Sequence, residues 1–454
     1  MALYSIIMAA GEGKRMKSAH AKPLQKAAGK ALIDWILQAA KEAGAEENIV
    51  VVGHCAEEIE QHLGSKVKFA YQYEQLGTGH AVMQGIESIK EQSGAVMVLS
   101  GDTPLIKGET LKNAIESHTA SGRAITVITA IADDPTGYGR IVRKDGKMTC
   151  IVEQKDASEN EKRIKEINAG MYLFDIQKLV SALKRLTNDN VQGEYYLTDV
   201  IGILLGDGET ADTYIADIEE TMGVNDRIQL AEADALLNAR KIKELMQDGV
   251  CVINPSSVRA EADVKVGRDT VIYPGTILEG NTEIGEECII GPNSRITSCK
   301  IGNGTEMQYS VAVDSIVGDN TNVGPFAYIR PNSRIGSNIK IGDFVEIKNA
   351  VIDDGTKVAH LTYVGDADVG KRVNFGCGTV VVNYDGISKH RTTIEDDCFI
   401  GCNSNLVSPV TVEKGAYTAA GSTITDRVPE NALAIARARQ VNKDGWVEKN
   451  RRKD

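Results

Sequence analysis

Two hydrophobic patterns divide the chain. Along the first half, short apolar runs alternate with helical periodicities. The runs Ser5–Ala10, Ile49–Gly53, Val67–Gln72, Ala95–Ser100, Ala124–Ile131 and Met171–Phe174 read as buried strands. Between the first two, Ile33, Ile36, Leu37 and Ala40 recur at helical spacing and Gly44 closes the segment, so a helix is expected over Ala31 to Gly44. Strand–helix–strand order with non-alternating strands predicts an α/β, Rossmann-like, mostly parallel sheet covered by helices on both faces. The stretch 225–248 is filled with good helix formers, with Asn225 or Asp226 to cap it and Gly249 to end it.

After Gly249 the period becomes six. Aliphatic residues stand at Ile272, Leu278, Ile284, Ile290 and Ile296; after a slip of phase, at Val317, Val323, Ile329, Ile335, Ile341 and Ile347; and again at Ile394, Ile400, Leu406, Val412 and Ile424. Neither a helix nor an alternating strand repeats every six residues, whereas a left-handed parallel β-helix of hexapeptides does. Three hexapeptides make one triangular coil, and stacked coils bury columns of aliphatic side chains that a single coil would expose. Residues 252–428 then give about ten coils, each rising roughly 4.8 Å. Between Phe375 and Ile394 the count fails, so "GTVVVNYDGISKHR" is expected to loop out, a position where rigid solenoids carry binding groups. The domains expected are 1–226 (α/β), 227–249 (a linker helix) and 250–454 (all-β, with a C-terminal tail). A flat-faced rod also predicts packing into a closed cyclic oligomer.

A length of 454 residues fits this division into more than one core. The net charge of −12 argues against nucleic acid or a membrane surface as partner, leaving locally basic pockets for anionic small molecules. No apolar run spans a bilayer and no signal-peptide pattern opens the chain, so a cytoplasmic protein is expected. Eight cysteines without a CxxC pair read as free thiols. Cys398 and Cys402 with His360 or His390 match no zinc spacing.

The chemistry starts at "AAGEGKRM", residues 9–16, where a strand gives way to Gly11 and Gly13 and then to Lys14, Arg15 and Lys22. The loop matches neither the dinucleotide fingerprint nor a Walker loop. The two glycines alone suit a tight turn as well as a ligand; Arg15 and Lys22 add the charge to neutralise a triphosphate and a departing pyrophosphate. Asp102, just past an apolar strand, offers a hard oxygen to a cation, although "SGD" also suits a plain strand-end turn.

These residues resemble the signature loop of the nucleotide-sugar pyrophosphorylases. The likeness extends through "QLGTGHA" at 75–81, "GYGRIV" at 137–142, "IVEQKD" at 151–156, "INAG" at 167–170 and "GVND" at 223–226. With "AHLTYVGD" at 359–366 and "NYDG" at 383–386, the whole chain resembles the family of bifunctional N-acetylglucosamine-1-phosphate uridyltransferases and glucosamine-1-phosphate acetyltransferases. The resemblance implies a Mg²⁺-dependent uridyl transfer from UTP, with Arg15 and Lys22 as electrostatic catalysts and Asp102 and Asn225 as metal ligands. It implies nucleotide and sugar contacts at Ala10, Gly11, Lys22, Gln72, Gly77, Thr78, Gly139, Glu153, Asn168 and Asn225. Glu12, Lys14, Pro23 and Ser100 depart from the family pattern without removing a charged group.

For the rod, the resemblance implies acetyl transfer from acetyl-CoA with His360 as base. A base is required because a protonated amine cannot attack, and imidazole suits the task. Arg330 and Lys348 lie three hexapeptides apart, so they should stack one coil above the other and clamp a phosphate. By resemblance Tyr363 and Asn374 complete the glucosamine-phosphate site, and Cys377, Asn383, Tyr384, Cys402, Ala420 and Arg437 contact acetyl-CoA. Cys377 and Cys402 stand where the family has other small residues. The resemblance also implies a homotrimer and a product that feeds bacterial envelope synthesis. The alternatives are a nucleotidyltransferase whose rod only assembles it, and a non-catalytic scaffold. The basic tail "KNRRKD" suits either CoA phosphates or a solvated end.

Overall fold

In the computed structural model, residues 2–91, 93–190 and 192–451 are described, so the last three residues of the basic tail lie outside the described residues. The chain forms two compact units, Met1–Leu237 and Asn238–Asp454, divided within the helix Arg227–Gln247.

The first unit is built on a nine-stranded sheet. Seven strands run, in spatial order, Ala211–Ile215, Ile125–Ile131, Glu166–Asp175, Ala95–Ser100, Leu3–Met8, Glu47–Val52 and Lys68–Tyr71. All but Glu166–Asp175 point the same way, and that strand is antiparallel to both neighbours. Apolar clusters fill both sides of the sheet, one around Ile6, Val98 and Phe174, the other around Ile7, Met97 and Leu173. Alternate residues of one strand point to opposite faces, so a strand with both faces covered has no polar side. The first helix spans Leu32–Glu42, close to its expected bounds. A hairpin, Arg140–Lys144 with Lys147–Val152, and the edge strand Ala211–Ile215 escaped the sequence reading because charged and polar residues interrupt their apolar runs.

The helix Arg227–Gln247 is capped by Asp226, whose carboxylate accepts from the amides of Ile228 and Gln229, both at 2.9 Å. Asn225 is therefore not the cap, and its side chain is released for other work.

The second unit is a left-handed parallel β-helix with three faces, sheets of 11, 10 and 9 strands. Every aliphatic residue of the six-residue series is buried. Glycines after these residues allow coils to close up: a Cβ on Gly318 would lie 2.7 Å from the Gly336 carbonyl carbon. The phase slip is explained by coil length. Ile272 pairs with Ile290, three full hexapeptides on, whereas Ile296 pairs with Ala312 and Val358 with Phe375, both short of that spacing. Shortened corners keep Ile301, Met307, Ala312, Ile352, Val358 and Val364 in the buried columns.

The excursion is shorter than expected. Val380–Val382 remains in the prism, with Val381 buried and paired to Leu406, and only residues 383–391 leave it. The excursion is folded on itself: Asp385 Oδ1 accepts from the amides of Ile387 and Ser388, both at 2.7 Å, and the His390 amide donates to Asn383 O at 2.9 Å. No helix among the described residues is long and apolar enough to cross a membrane.

Candidate functional site

In the first unit the glycine loop folds back on Lys22. Gly13 adopts φ 62°, and a Cβ there would come within 2.8 Å of Lys22 Cβ, so glycine is required for the approach. Arg15 donates to Asn225 Oδ1 at 2.9 Å, and Lys22 Nζ donates to the same oxygen at 3.0 Å while forming an ion pair with Asp102. The Ser100 hydroxyl fixes the other Asp102 oxygen at 2.7 Å. Gly13, Arg15, Lys22 and Asn225 border a cavity of about 330 Å³, also lined by Glu12, Lys14 and Gln75. Lys14 is held over the loop by Glu12 at 2.6 Å, a pairing that depresses the Glu12 carboxyl.

The Asp102 and Asn225 oxygens converge on a single ammonium. An oxygen pair that already shares one cation fits a hard divalent ion, whose remaining positions phosphate and water would fill. Cys398 and Cys402 join no such centre: no group of three or more His, Cys, Asp or Glu residues is placed to hold a metal among the described residues. All eight thiols are free.

The remaining nucleotide candidates lie nearby in the strand-end loops. Ala10 O accepts from Gln75 Nε2 at 3.0 Å, and the buried Gln72 donates to Gly77 O at 3.0 Å. Gly77, at φ 102°, precedes the helix Thr78–Ile86, and the Thr78 hydroxyl accepts from the Leu197 amide at 3.2 Å. Gly11 has open space where a side chain would stand.

A second cavity, of about 410 Å³, brings together Thr78, Glu153, Asn168, Tyr172, Glu194 and Tyr196. Asn168 is locked, donating to Tyr172 Oη at 2.8 Å and accepting from the Gly170 amide at 3.0 Å. The Asn168 amide donates to Gly139 O at 2.9 Å, and a Cβ on Gly139 would sit 2.9 Å from Ile151 Cγ2. Burial, then the nearby Asp156 and Asp199, raises the Glu153 carboxyl above the usual range. Glu194 and Tyr196 were missed from sequence because they sit in an irregular segment with no periodicity.

In the rod, a single edge carries much of the site. Asp343 pairs with His360 in register, and their side chains meet, His360 Nδ1 to Asp343 Oδ1, at 2.7 Å. The hydrogen bond from His360 holds Asp343 well below the usual carboxylate range. The same corner position recurs at Cys377, Cys402 and Ala420: the amide after Cys402 donates to Cys377 O, and the amide after Ala420 to Cys402 O, both at 2.8 Å. Arg437 lies against Gly421, one residue beyond.

The adjoining face carries the cations. Ile329 and Ile347 are paired in register, so Arg330 and Lys348 stand one coil apart as expected. Arg330 donates to Glu346 Oε1 at 2.8 Å, and Lys348 lies 3.9 Å from Asp366. Burial favours the neutral Asp366 carboxyl, but hydrogen bonds from Asn349 and Asn383, with Lys348 close by, hold it below its ordinary value. Asn383 also reaches Tyr363 Oη at 3.4 Å. Lys389, which the sequence reading passed over, lies beside Lys348 and, with burial, lowers its pKa. Two ammonium groups so close repel each other, and an anion between them would relieve that repulsion. Asn374 stands instead on another face, in register with Lys357 and Phe399. Tyr384 is exposed and donates to Gly386 O at 2.7 Å.

Comparison with known proteins matches residues 4–223 to the Nucleotidyl transferase family, and residues 263–298 and 314–349 to the Bacterial transferase hexapeptide (six repeats) family. The chain is 56% identical over 447 residues to the Bifunctional protein GlmU of Caldanaerobacter subterraneus subsp. tengcongensis, covering 98% of each chain. It is 54% identical over 447 residues to that of Acetivibrio thermocellus, covering 98% of this chain and 97% of the relative. To that of Clostridium beijerinckii it is 52% identical over 446 residues, covering 98% of each. A nucleotidyl transferase and a hexapeptide-repeat transferase are thus joined in one polypeptide, and the chain belongs to the bifunctional GlmU family.

Proposed function

We propose that the rod acetylates glucosamine-1-phosphate from acetyl-CoA and that the α/β unit uridylates the product with UTP, releasing pyrophosphate and UDP-N-acetylglucosamine. Family membership supports both activities and, in general terms, a divalent metal with nucleotide and acyl-CoA substrates. The observation that carries the first-unit reading is the shared Asn225 oxygen, which gathers Arg15 and Lys22 beside Asp102.

For uridyl transfer, the sugar phosphate attacks the α-phosphorus in line and pyrophosphate departs, so catalysis is mainly positioning and charge neutralisation. Arg15 and Lys22 neutralise the triphosphate and its leaving group. Mg²⁺ held by Asp102 and Asn225 would supply further charge compensation at the phosphates. Glu153 and Asn168 accept and donate to sugar hydroxyl and amide groups. Ala10, Gly11, Gln72, Gly77 and Thr78 seat the nucleoside.

For acetyl transfer, Asp343 faces Nδ1 of His360, which leaves Nε2 free to act as base. His360 takes the proton from the amine as nitrogen attacks the thioester carbonyl. The C–S bond breaks, and the proton passes to the departing CoA sulfur. Arg330, Lys348 and Tyr363 hold the sugar phosphate, with Asn374 contributing from its own face. The edge bearing Cys377, Cys402 and Ala420, with Arg437, Asn383 and Tyr384, receives acetyl-CoA.

We further propose a homotrimer in the cytoplasm. Exposed rings of Tyr309, Phe326 and Phe344 form a row along one edge of the rod, the first pair tilted and the second stacked, with centroids 5.7 and 5.4 Å apart, an apolar stripe that association would cover. Sedimentation analysis tests it, and a monomer would refute it. The activities are tested by giving the purified protein acetyl-CoA, glucosamine-1-phosphate, UTP and Mg²⁺ and omitting each in turn. Omission of acetyl-CoA should stop nucleotide-sugar formation unless N-acetylglucosamine-1-phosphate is supplied; pyrophosphate release without either sugar phosphate would refute the assignment.

A further inference from the structure

Gly139 and Glu153 stand at the mouth of one hairpin, just before Arg140 and just after Val152, which are paired in register. The hairpin shares a single register pair with the sheet, Ile167 with Arg140, and is further tied to it at its far end, where Arg143 donates to Glu166 and Thr213. Arg140 is 1% exposed, a buried guanidinium whose acceptors are two carbonyls and an amide oxygen, with no carboxylate bonded to it. One terminal nitrogen donates to Tyr138 O, and the other to Gln154 Oε1 at 2.6 Å and Lys162 O at 3.5 Å. Gln154 Oε1 also accepts from the Gly137 amide at 3.2 Å. Nε is the one buried side-chain nitrogen or oxygen without a partner among the described residues.

A buried charge with an unpartnered nitrogen and no carboxylate hydrogen-bonded to it is costly, even with Asp134 near enough to feel that charge, and an apolar residue of similar size would pack there at less cost. What an apolar residue would not supply is a rigid fork. The fork spans from the turn leading into Gly139 to the segment leaving Glu153, and Gly137 and Gln154 themselves line the 410 Å³ cavity. We propose that Arg140 is a positioning residue for the sugar subsite: it sets the separation of Gly139 and Glu153 from beneath, without touching the substrate. The proposal rests on the reading of that cavity as the sugar-phosphate site.

The test uses the full-length protein with Arg140→Lys, Gln154→Leu and both together. Each single change should raise the KM for N-acetylglucosamine-1-phosphate about tenfold while the KM for UTP and the acetyl-transfer rate stay within about twofold. Because both changes break one clamp, the double variant should be no worse than the worse single one. Amide hydrogen exchange, which needs no substrate, should quicken at 137–139 and 153–156 in Arg140→Lys and stay unchanged in the central strands. Equal effects on both KM values, multiplied effects in the double variant, or unaltered exchange at the two segments would each overturn the clamp. Should Arg140→Lys fail to fold, an unchanged sugar-phosphate KM in Gln154→Leu overturns it. Absence of turnover in the unsubstituted protein would instead count against the substrate reading, and the exchange measurement would still decide the clamp.

Discussion

Asp343 and His360 stand one coil apart on the same edge of the rod, their side chains joined at 2.7 Å. The carboxylate can therefore orient the imidazole and stabilise its protonated form. Asp343→Asn should lower kcat for acetyl transfer roughly 10- to 100-fold, with a smaller change in either KM, and His360→Ala should lower it further. Uridyl transfer measured on the same samples should be unchanged. An Asp343→Asn protein with full acetyl transfer would show that the pairing does not serve catalysis.

Lys22 and Asp102 form the complementary test. Asp102→Ala should abolish uridyl transfer while acetyl transfer continues at its normal rate. Lys22→Ala should reduce uridyl kcat by roughly 100-fold, as expected when one preorganised charge is removed from a transition state. A coupled pyrophosphate assay and a thiol-release assay on each variant separate the two outcomes.

Lys348 supplies a pH dependence. Its pKa is lowered first by the neighbouring Lys389 and then by burial, so it loses its charge at lower pH than an ordinary lysine. A phosphate held by that charge should bind more weakly as the pH rises from 7 towards the ordinary lysine range near ~10. Calorimetric titration with N-acetylglucosamine-1-phosphate, which lacks the substrate's titrating amine, measures this in an Asn168→Ala background that weakens binding at the first unit's sugar cavity. Lys348→Arg should remove the alkaline loss, since guanidinium remains charged. A flat profile in that background with Lys348 intact would contradict the role given to Lys348.

Cys377 and Cys402 are half-buried and exposed on the edge proposed for the acyl donor. Alkylation should therefore inhibit acetyl transfer and spare uridyl transfer, and acetyl-CoA should protect against it. Cys377→Ala with Cys402→Ser should retain activity and lose the sensitivity. Unaltered sensitivity in that double variant would move the reactive thiol elsewhere.

Leu406 is fully buried in the rod and paired with Val381 across the excursion. Leu406→Ala should destabilise the second unit by about 2–5 kcal/mol, read from urea unfolding of the full-length chain. A loss well under ~1 kcal/mol would mean that the columns repack around the gap.

The sequence disclosed the repeat most clearly where a coil holds three complete hexapeptides, because there the inward residue returns at a fixed spacing. It disclosed least where corners are shortened. Asp343 precedes His360 by less than three hexapeptides although the two are paired in register, so the partner of His360 falls in the stretch where hexad counting fails. Lys389 was hidden for a related reason: it belongs to an excursion with no periodicity, and only the folded loop brings it to Lys348. Asn225 illustrates a different limit. Either of two adjacent residues could cap the helix from sequence, and only the hydrogen bonds of Asp226 free Asn225 to bond Arg15 and Lys22.

The edge that carries Asp343, His360, Cys377, Cys402 and Ala420 is graduated like a measuring stick, advancing about 4.8 Å per coil. Whatever extended molecule is laid along it meets one side chain at each mark. Adding or removing one whole coil above His360 would shift Arg437 by a single graduation while leaving every hydrophobic column continuous, so the length of ligand accepted by such a rod can be altered in discrete steps.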